Sequence, residues 1–301
     1  MTRIFYIVAI MMLLLATPMQ AKSESIFALT TTNSLLSFDS STPGTVNSIG
    51  PVDGLQPDEL LLGIDFRPAN LQLYGLGSTN RLYTINTATG AAVQVGSPGA
   101  FTLGGVDFGM DFNPVPDRLR VTSDADLNLR LNPNDGTLSA TDGTLAYAAG
   151  DPNFGINPNI VGSAYTNNFA GAISTVLYGI DSNLDILVTQ NPPNSGVLNT
   201  VGFLGTATSG LVGFDISGLT GTAFASLTSG PNSSQLHTIN LGTGAATLIG
   251  TIGGGTTIRG LSAAPAAVPE PATIILLASG LLAVAARAFS RGRKGDGDSN
   301  S

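Results

Sequence analysis

The 301-residue chain has no cysteine, no tryptophan and a single histidine, His237. The missing cysteine excludes disulfides, thiolate metal sites and a cysteine nucleophile. One histidine leaves no basis for a zinc site built on several imidazoles, and no Gly-x-Ser-x-Gly elbow accompanies it to suggest Ser–His–Asp chemistry. Positive charge is scarce too. Residues 22–265 carry 17 acidic side chains against seven basic ones, and Lys22 is the only lysine among them. Nucleic acid and anionic membrane surfaces need clustered Lys and Arg, so this segment is built for neither. Aromatic residues make up 6% of the chain, which leaves few rings on which a sugar could stack.

What the chain has instead is a repeat. From Gly63 to Gly96, apolar residues alternate with polar or small ones: Ile64 and Phe66, Leu71 and Leu73, Leu82 and Ile85, Val93 and Val95. Period two is the strand signature. The runs are separated by Arg67–Asn70, Gly77–Asn80 and Thr87–Gly90, whose Pro, Asn and Gly residues suit tight turns. The same order recurs along the chain. Its second strand is anchored at Phe27, Tyr74, Arg120, Tyr178 and Phe224, at intervals of 47, 46, 58 and 46 residues. The leading strand reads GIDFRP from Gly63, GMDFNP from Gly109 and GFDISG from Gly213.

Four strands per unit at a period in the forties predict an all-β chain folded as a five-bladed β-propeller. The first unit lacks its leading strand, and a spare one, Thr257–Ser262, follows the last unit. That strand is expected to close the ring and leave no free sheet edge. A β-sandwich and an open solenoid are the alternatives. The 58-residue interval places its extra length between Asp142 and Ala172, a stretch rich in Asn, Gly, Asp and Pro that reads as loop. Such a loop is where binding usually resides, and a packed cap over one face is the competing reading.

The ends have a different composition. Residues 1–21 read as a signal peptide, with Arg3 ahead of an apolar run and cleavage after Ala21. The propeller domain is assigned to residues 22–265 and a linker to 266–271. Residues 272–289 are apolar enough for a transmembrane helix, and a basic, polar cytoplasmic tail occupies 290–301.

Pro269, Glu270 and Pro271, followed by the apolar stretch and the cluster Arg287, Arg291, Arg293 and Lys294, resemble the PEP-CTERM sorting signal. The resemblance implies export, recognition by an exosortase, cleavage near the motif and delivery to the outer surface of a Gram-negative cell. The body resembles the family of domain of unknown function 4394. The residues that carry this are Asp111–Leu138, then TDGTLAYAAGDPN from Thr141, AYTNN from Ala164 and LYGID from Leu177. That resemblance implies fold and export but no activity.

Candidate chemistry is sparse. Asp65, Asp111 and Asp215 hold the same place on three leading strands, where they could ring a cation or clasp neighbouring blades by hydrogen bonds. Asp124, Asp126 and Asn128 have the spacing that opens a calcium loop, but Leu129 stands where such a loop needs glycine. A plain turn competes, and calcium is the one cofactor entertained. Arg118, Arg120 and Arg130 fall on adjacent strands. They could grip an acidic ligand bidentately or pair internally with Asp111, Asp117 and Asp126. With Asp151 and Asn167 of the long loop, they are the candidate ligand-binding side chains. No catalytic residue is assigned. The expected function is a non-enzymatic binding or structural module at the cell surface or in the extracellular matrix. Its expected partners are the export machinery, the exosortase, and exopolysaccharide or surface proteins. The alternative is a hydrolase or lyase that acts on extracellular polysaccharide through carboxylates at one propeller face.

Overall fold

The computed structural model describes residues 23–230 and 233–265. The leader, the Pro-Glu-Pro motif and the candidate membrane helix lie outside the described residues. Blade 1 contains β1 (Ser25–Thr30), β2 (Ser34–Asp39) and β3 (Val46–Pro51). Blade 2 contains β4 (Leu61–Phe66), β5 (Leu73–Gly77), β6 (Arg81–Ile85) and β7 (Ala92–Val95). Blade 3 contains β8 (Phe108–Asn113), β9 (Arg118–Ser123), β10 (Asn128–Leu131) and β11 (Leu138–Thr141). A two-residue strand, β12 (Ala146–Tyr147), comes next. Blade 4 contains β13 (Ile160–Tyr165), β14 (Leu177–Asp181), β15 (Ile186–Gln190) and β16 (Val197–Phe203). Blade 5 contains β17 (Gly213–Ile216), β18 (Ala223–Gly230), β19 (Ser233–Ile239) and β20 (Ala246–Thr251), and β21 (Ile258–Ala263) is the last strand described.

Among the described residues these strands form five antiparallel sheets, one per blade, with β12 added in parallel to the outer edge of blade 4. β21 pairs with β1 and supplies the leading strand that blade 1 lacks, so the propeller is closed as the repeat predicts. The leading strands β21, β4, β8, β13 and β17 pack side by side around the axis. The register is uniform. The anchors Phe27, Tyr74, Arg120, Tyr178 and Phe224 pair opposite Ser262, Asp65, Asp111, Ala164 and Asp215, so these five residues share one level of the axial ring.

Local sequence explains the turns. The third strand of a unit is followed by Asn86, Asn132 or Asn240. Each side chain accepts a backbone N–H two residues on, from Ala88, Asn134 or Gly242. Each backbone carbonyl then accepts from a glycine four residues on, Gly90, Gly136 or Gly244, whose φ is positive. An Asx turn followed by a left-handed glycine fixes the hairpin without side-chain packing.

Two local expectations need correction. Leu71 belongs to the turn before β5, with φ 61°, and not to the strand. The stretch Asp142–Ala172 is not all loop, because it contains β12 and the whole leading strand of blade 4, β13. That strand lacks the repeat's aspartate, since Ala164 stands in its place.

The apolar core is divided into layers between blades. Tyr74, Leu76 and Phe112 belong to the layer between blades 2 and 3, which holds twelve buried side chains. The layer on the blade 3 side of blade 4 holds six, including Leu145, Tyr147 and Ile160.

Candidate functional site

Asp65, Asp111 and Asp215 come from blades 2, 3 and 5, and the register brings them to one level of the axis. One carboxylate oxygen from each lies within 4.8 Å of the others, and all three residues are buried. The close approach depends on what precedes each of them. Two residues earlier stand Gly63, Gly109 and Gly213. A Cβ on Gly109 would lie 2.7 Å from the Ser163 backbone nitrogen, and one on Gly213 would lie 2.5 Å from that of Leu261. Only a residue without a side chain lets these strands meet so near the axis. The space left along this glycine-lined stretch is about 10 Å³, room for one water and no substrate.

The three carboxylates are not equivalent. Asp65 accepts from the Phe112 backbone N–H at 2.8 Å and from the Ser262 hydroxyl at 2.8 Å. Asp215 accepts from the Ala263 backbone N–H at 2.6 Å, and Ser262 Oγ lies 3.1 Å from it. Both therefore clasp the next blade through a backbone amide. Asp111, fully buried, has no hydrogen-bond partner on either oxygen. The Tyr165 backbone amide of the next blade faces it without closing a hydrogen bond, while the Tyr165 hydroxyl meets Arg120. Burial pushes all three well above or above the usual carboxylate range. For Asp65 the charge of Asp215 adds to this, and for Asp111 the charges of Asp65 and Asp215 do.

The candidate arginines lie further out. Arg120 is buried and reaches Tyr165 Oη at 3.2 Å, Asn128 Oδ1 at 2.7 Å, Asp142 at 2.6 Å and Asn194 Oδ1 at 2.8 Å. Arg130 binds both oxygens of Asp142, at 2.7 and 2.9 Å. The acid shared by Arg120 and Arg130 is Asp142, not Asp111 or Asp126, while Asp117 pairs with Arg67 of blade 2. Arg118 donates to the carbonyls of Pro116 and Asp117. Asp151 accepts from the Thr200 amide and hydroxyl and from the Asn153 amide, and these bonds hold its pKa below the usual range against its burial. Asn167 is exposed, with φ 54°, and donates to the Ser174 carbonyl.

In the Asp124–Asn128 turn, Asp124 accepts from the Val106 amide. Asn128 Oδ1 is taken by Arg120 and Gln190, and its amide donates to Gly143 and Pro193. Asp126 Oδ1 is buried without a partner. His237 is a buried strand residue whose Nδ1 meets the Gln235 carbonyl, and desolvation lowers its pKa. The structure therefore brings together three carboxylates that the sequence had only aligned, and it separates them from the arginines. The Asp142 clasp was not foreseen, because nothing in the spacing links residue 120 to residue 142.

The loops that join leading to second strands all lie on one face. That face exposes Leu71, Val115, Phe169, Ile173 and Leu219, with Ile173 at 94% exposure. Its longest loop is the one between β13 and β14.

Residues 34–262 match the family described as domain of unknown function (DUF4394), and residues 267–293 match the PEP-CTERM protein-sorting motif. No curated protein matches the chain. Similar solved structures include a nidogen/laminin complex (14% identity, TM-score 0.48, 81% of this chain and 98% of that one). They also include glutaminyl cyclase of Myxococcus xanthus (12%, 0.40, 72% and 98%) and a putative 6-phosphogluconolactonase of Bacteroides uniformis (11%, 0.40, 76% and 82%).

Proposed function

The chain belongs to the DUF4394 family and carries a PEP-CTERM sorting motif, and from that premise we propose that it is a non-enzymatic binding module of the cell surface. The motif makes it an exported, surface-directed protein handled by the exosortase sorting system. On this reading the leader is removed after Ala21. Residues 272–289 hold the precursor in the membrane until the exosortase acts near Pro269–Pro271, and the propeller is then displayed or released.

One observation carries the non-enzymatic reading. The carboxylates that converge belong to axial strands and are at most 1% exposed. A glycosidase needs two acids flanking a bond that substrate can reach. Two hollows of 390 and 460 Å³ lie against strands of blades 2 and 1, and Asp39 is the one acid that lines this pair. A propeller that exposes Leu71, Val115, Phe169, Ile173 and Leu219 on one loop-bearing face suits recognition of a partner better than turnover. The ligand-facing residues on this reading are Asn167, Phe169 and Ile173, with Arg118 at the start of β9 in the adjacent blade. Exopolysaccharide and surface proteins are the ligand classes to which the sorting address points.

The test is thermal unfolding of the secreted chain against a panel of acidic and neutral glycans and cell-surface extracts, with product analysis of every glycan. The expected result is a stabilising shift without cleavage, abolished by Phe169→Ser with Ile173→Ser. A ligand at a hundred times its Kd adds about 2.7 kcal/mol, an easily read shift. Cleavage of a glycan would overturn the reading.

A further inference from the structure

The binding face leaves the axial carboxylates without a role. Two of them are explained as blade clasps, and the third is not. Asp111 is wholly buried and aimed at the other two, and neither of its oxygens has a donor. A second orphan lies beside the cluster. Asn168 Oδ1 is buried without a partner, while its amide nitrogen stands 3.5 Å from Asp215 Oδ1. Ser262 adds a hydroxyl that faces both Asp65 and Asp215 and has one proton to give them. Buried polar oxygens are normally satisfied, and a group of them left open on one side marks a missing positive partner.

The donor set identifies that partner. It is oxygen only, with no imidazole or thiolate nearby, which selects hard cations over zinc or copper. Its size also fits. Ligands at 2.3–2.6 Å from a calcium ion stand at most roughly 5 Å apart, and the three carboxylate oxygens lie within 4.8 Å of one another. We propose that Asp65, Asp111 and Asp215 close around one hard divalent cation of the calcium, magnesium or manganese class, with the Ser262 hydroxyl as an accompanying neutral oxygen. The ion ties blades 2, 3 and 5 together at the axis. Its role is structural, since its three carboxylate ligands are buried, and it is independent of what the outer face binds.

The experiment uses the exported full chain. Protein is unfolded in chelator, refolded with calcium, magnesium or manganese singly or with none, desalted, and analysed for metal content and Tm. The expected result is close to one ion per chain for at least one metal. The loaded protein should melt roughly 5–10 °C above the metal-free one. Asp111→Asn should bind no ion and melt at one temperature with or without metal. If wild type refolds with no stoichiometric ion and an unchanged Tm under every metal, the proposal is overturned and the cluster is held by shared protons. The wild-type measurements decide the matter even if the variant fails to fold.

Discussion

The seam between blades 2 and 3 and the seam between blades 3 and 4 are built from the same repeat positions in opposite ways. At the first seam the anchor Tyr74 meets Phe112 of the next blade edge-on, with ring centroids 5.1 Å apart. Leu76 follows it into the apolar layer. Phe27 and Phe66 repeat the arrangement between blades 1 and 2, at 5.3 Å. At the second seam the same two places are Arg120 and Thr122. Arg120 bonds Tyr165, the counterpart of Phe112, and Thr122 bonds the Ser163 hydroxyl at 2.7 Å. The axial aspartate changes in step. Asp65 clasps the Phe112 amide, and Asp111 clasps nothing. The difference teaches that a repeat preserves geometry while the cohesion of a seam is renegotiated. Blade 3 is apolar toward blade 2 and polar toward blade 4, because Leu119 and Val121 alternate with Arg118, Arg120 and Thr122 along one strand.

The largest expected effect comes from breaking the polar seam. Arg120→Met keeps volume but strands Asp142, Asn194 and Tyr165 inside the protein. Removing one partner of a buried ionic network costs about 3–5 kcal/mol, and the remaining Arg130–Asp142 pair places the expectation near the lower bound. Urea unfolding checks it, and a loss below about 1 kcal/mol would show that the seam does not depend on the arginine. The same change at Arg67, whose partner Asp117 is partly exposed, is expected to cost about 1–2 kcal/mol. Equal losses at both positions would erase the contrast.

The glycine ring gives a sharper and smaller comparison. A Cβ on Gly63 meets only the flexible Met110 side chain, at 2.8 Å, whereas one on Gly109 meets the backbone of Ser163 and Gly162. Gly109→Ala is therefore expected to destabilise by about 1–3 kcal/mol, as overpacking does, and Gly63→Ala by less than about 1 kcal/mol. Thermal unfolding of the pair tests the ranking. A reversed order would mean that the blade 3–4 seam is the more yielding one.

Much of this was legible in the sequence. The anchors chosen from alternation pair with one level of the axial ring in all five blades, and the spare strand closes blade 1. Periodicity and turn chemistry are local, so they survive without knowledge of the fold. The leading strand of blade 4 was lost because Ile160–Tyr165 carries Ala164 in place of the aspartate and sits among Asn, Gly and Pro. The anchor list already showed Arg120 as the one non-aromatic member. Its partners Asp142, Asn194 and Tyr165 come from the next seam, and no spacing rule reaches across it. The state of Asp111 was hidden for the same reason, because whether a neighbouring amide comes within hydrogen-bond reach of a carboxylate is decided by packing between blades.

The smallest effect concerns a buried acid that is the opposite of Asp111. Glu59, at the start of blade 2, accepts from the amides of Gln56 and Thr79, from the Thr79 hydroxyl and from Tyr83 Oη at 2.5 Å. Burial works to raise its pKa, but these donors outweigh it and bring the group below its ordinary value of 4.5. The same contact, after burial, pushes the Tyr83 hydroxyl up to about 12. A depressed carboxylate contributes stability that is present above the unfolded-state pKa and is lost as pH falls through the folded one. Glu59→Gln keeps the shape but weakens the acceptor, so it is expected to cost about 1 kcal/mol at pH 7. The gap from wild type should then shrink as pH falls from the ordinary value of 4.5 through the lower folded-state one, where Glu59 is itself protonated. Denaturant midpoints at pH 7 and pH 3 check both halves. A gap that stays constant with pH would assign the loss to packing, and would leave the donors around Glu59 with no more electrostatic consequence than their absence around Asp111.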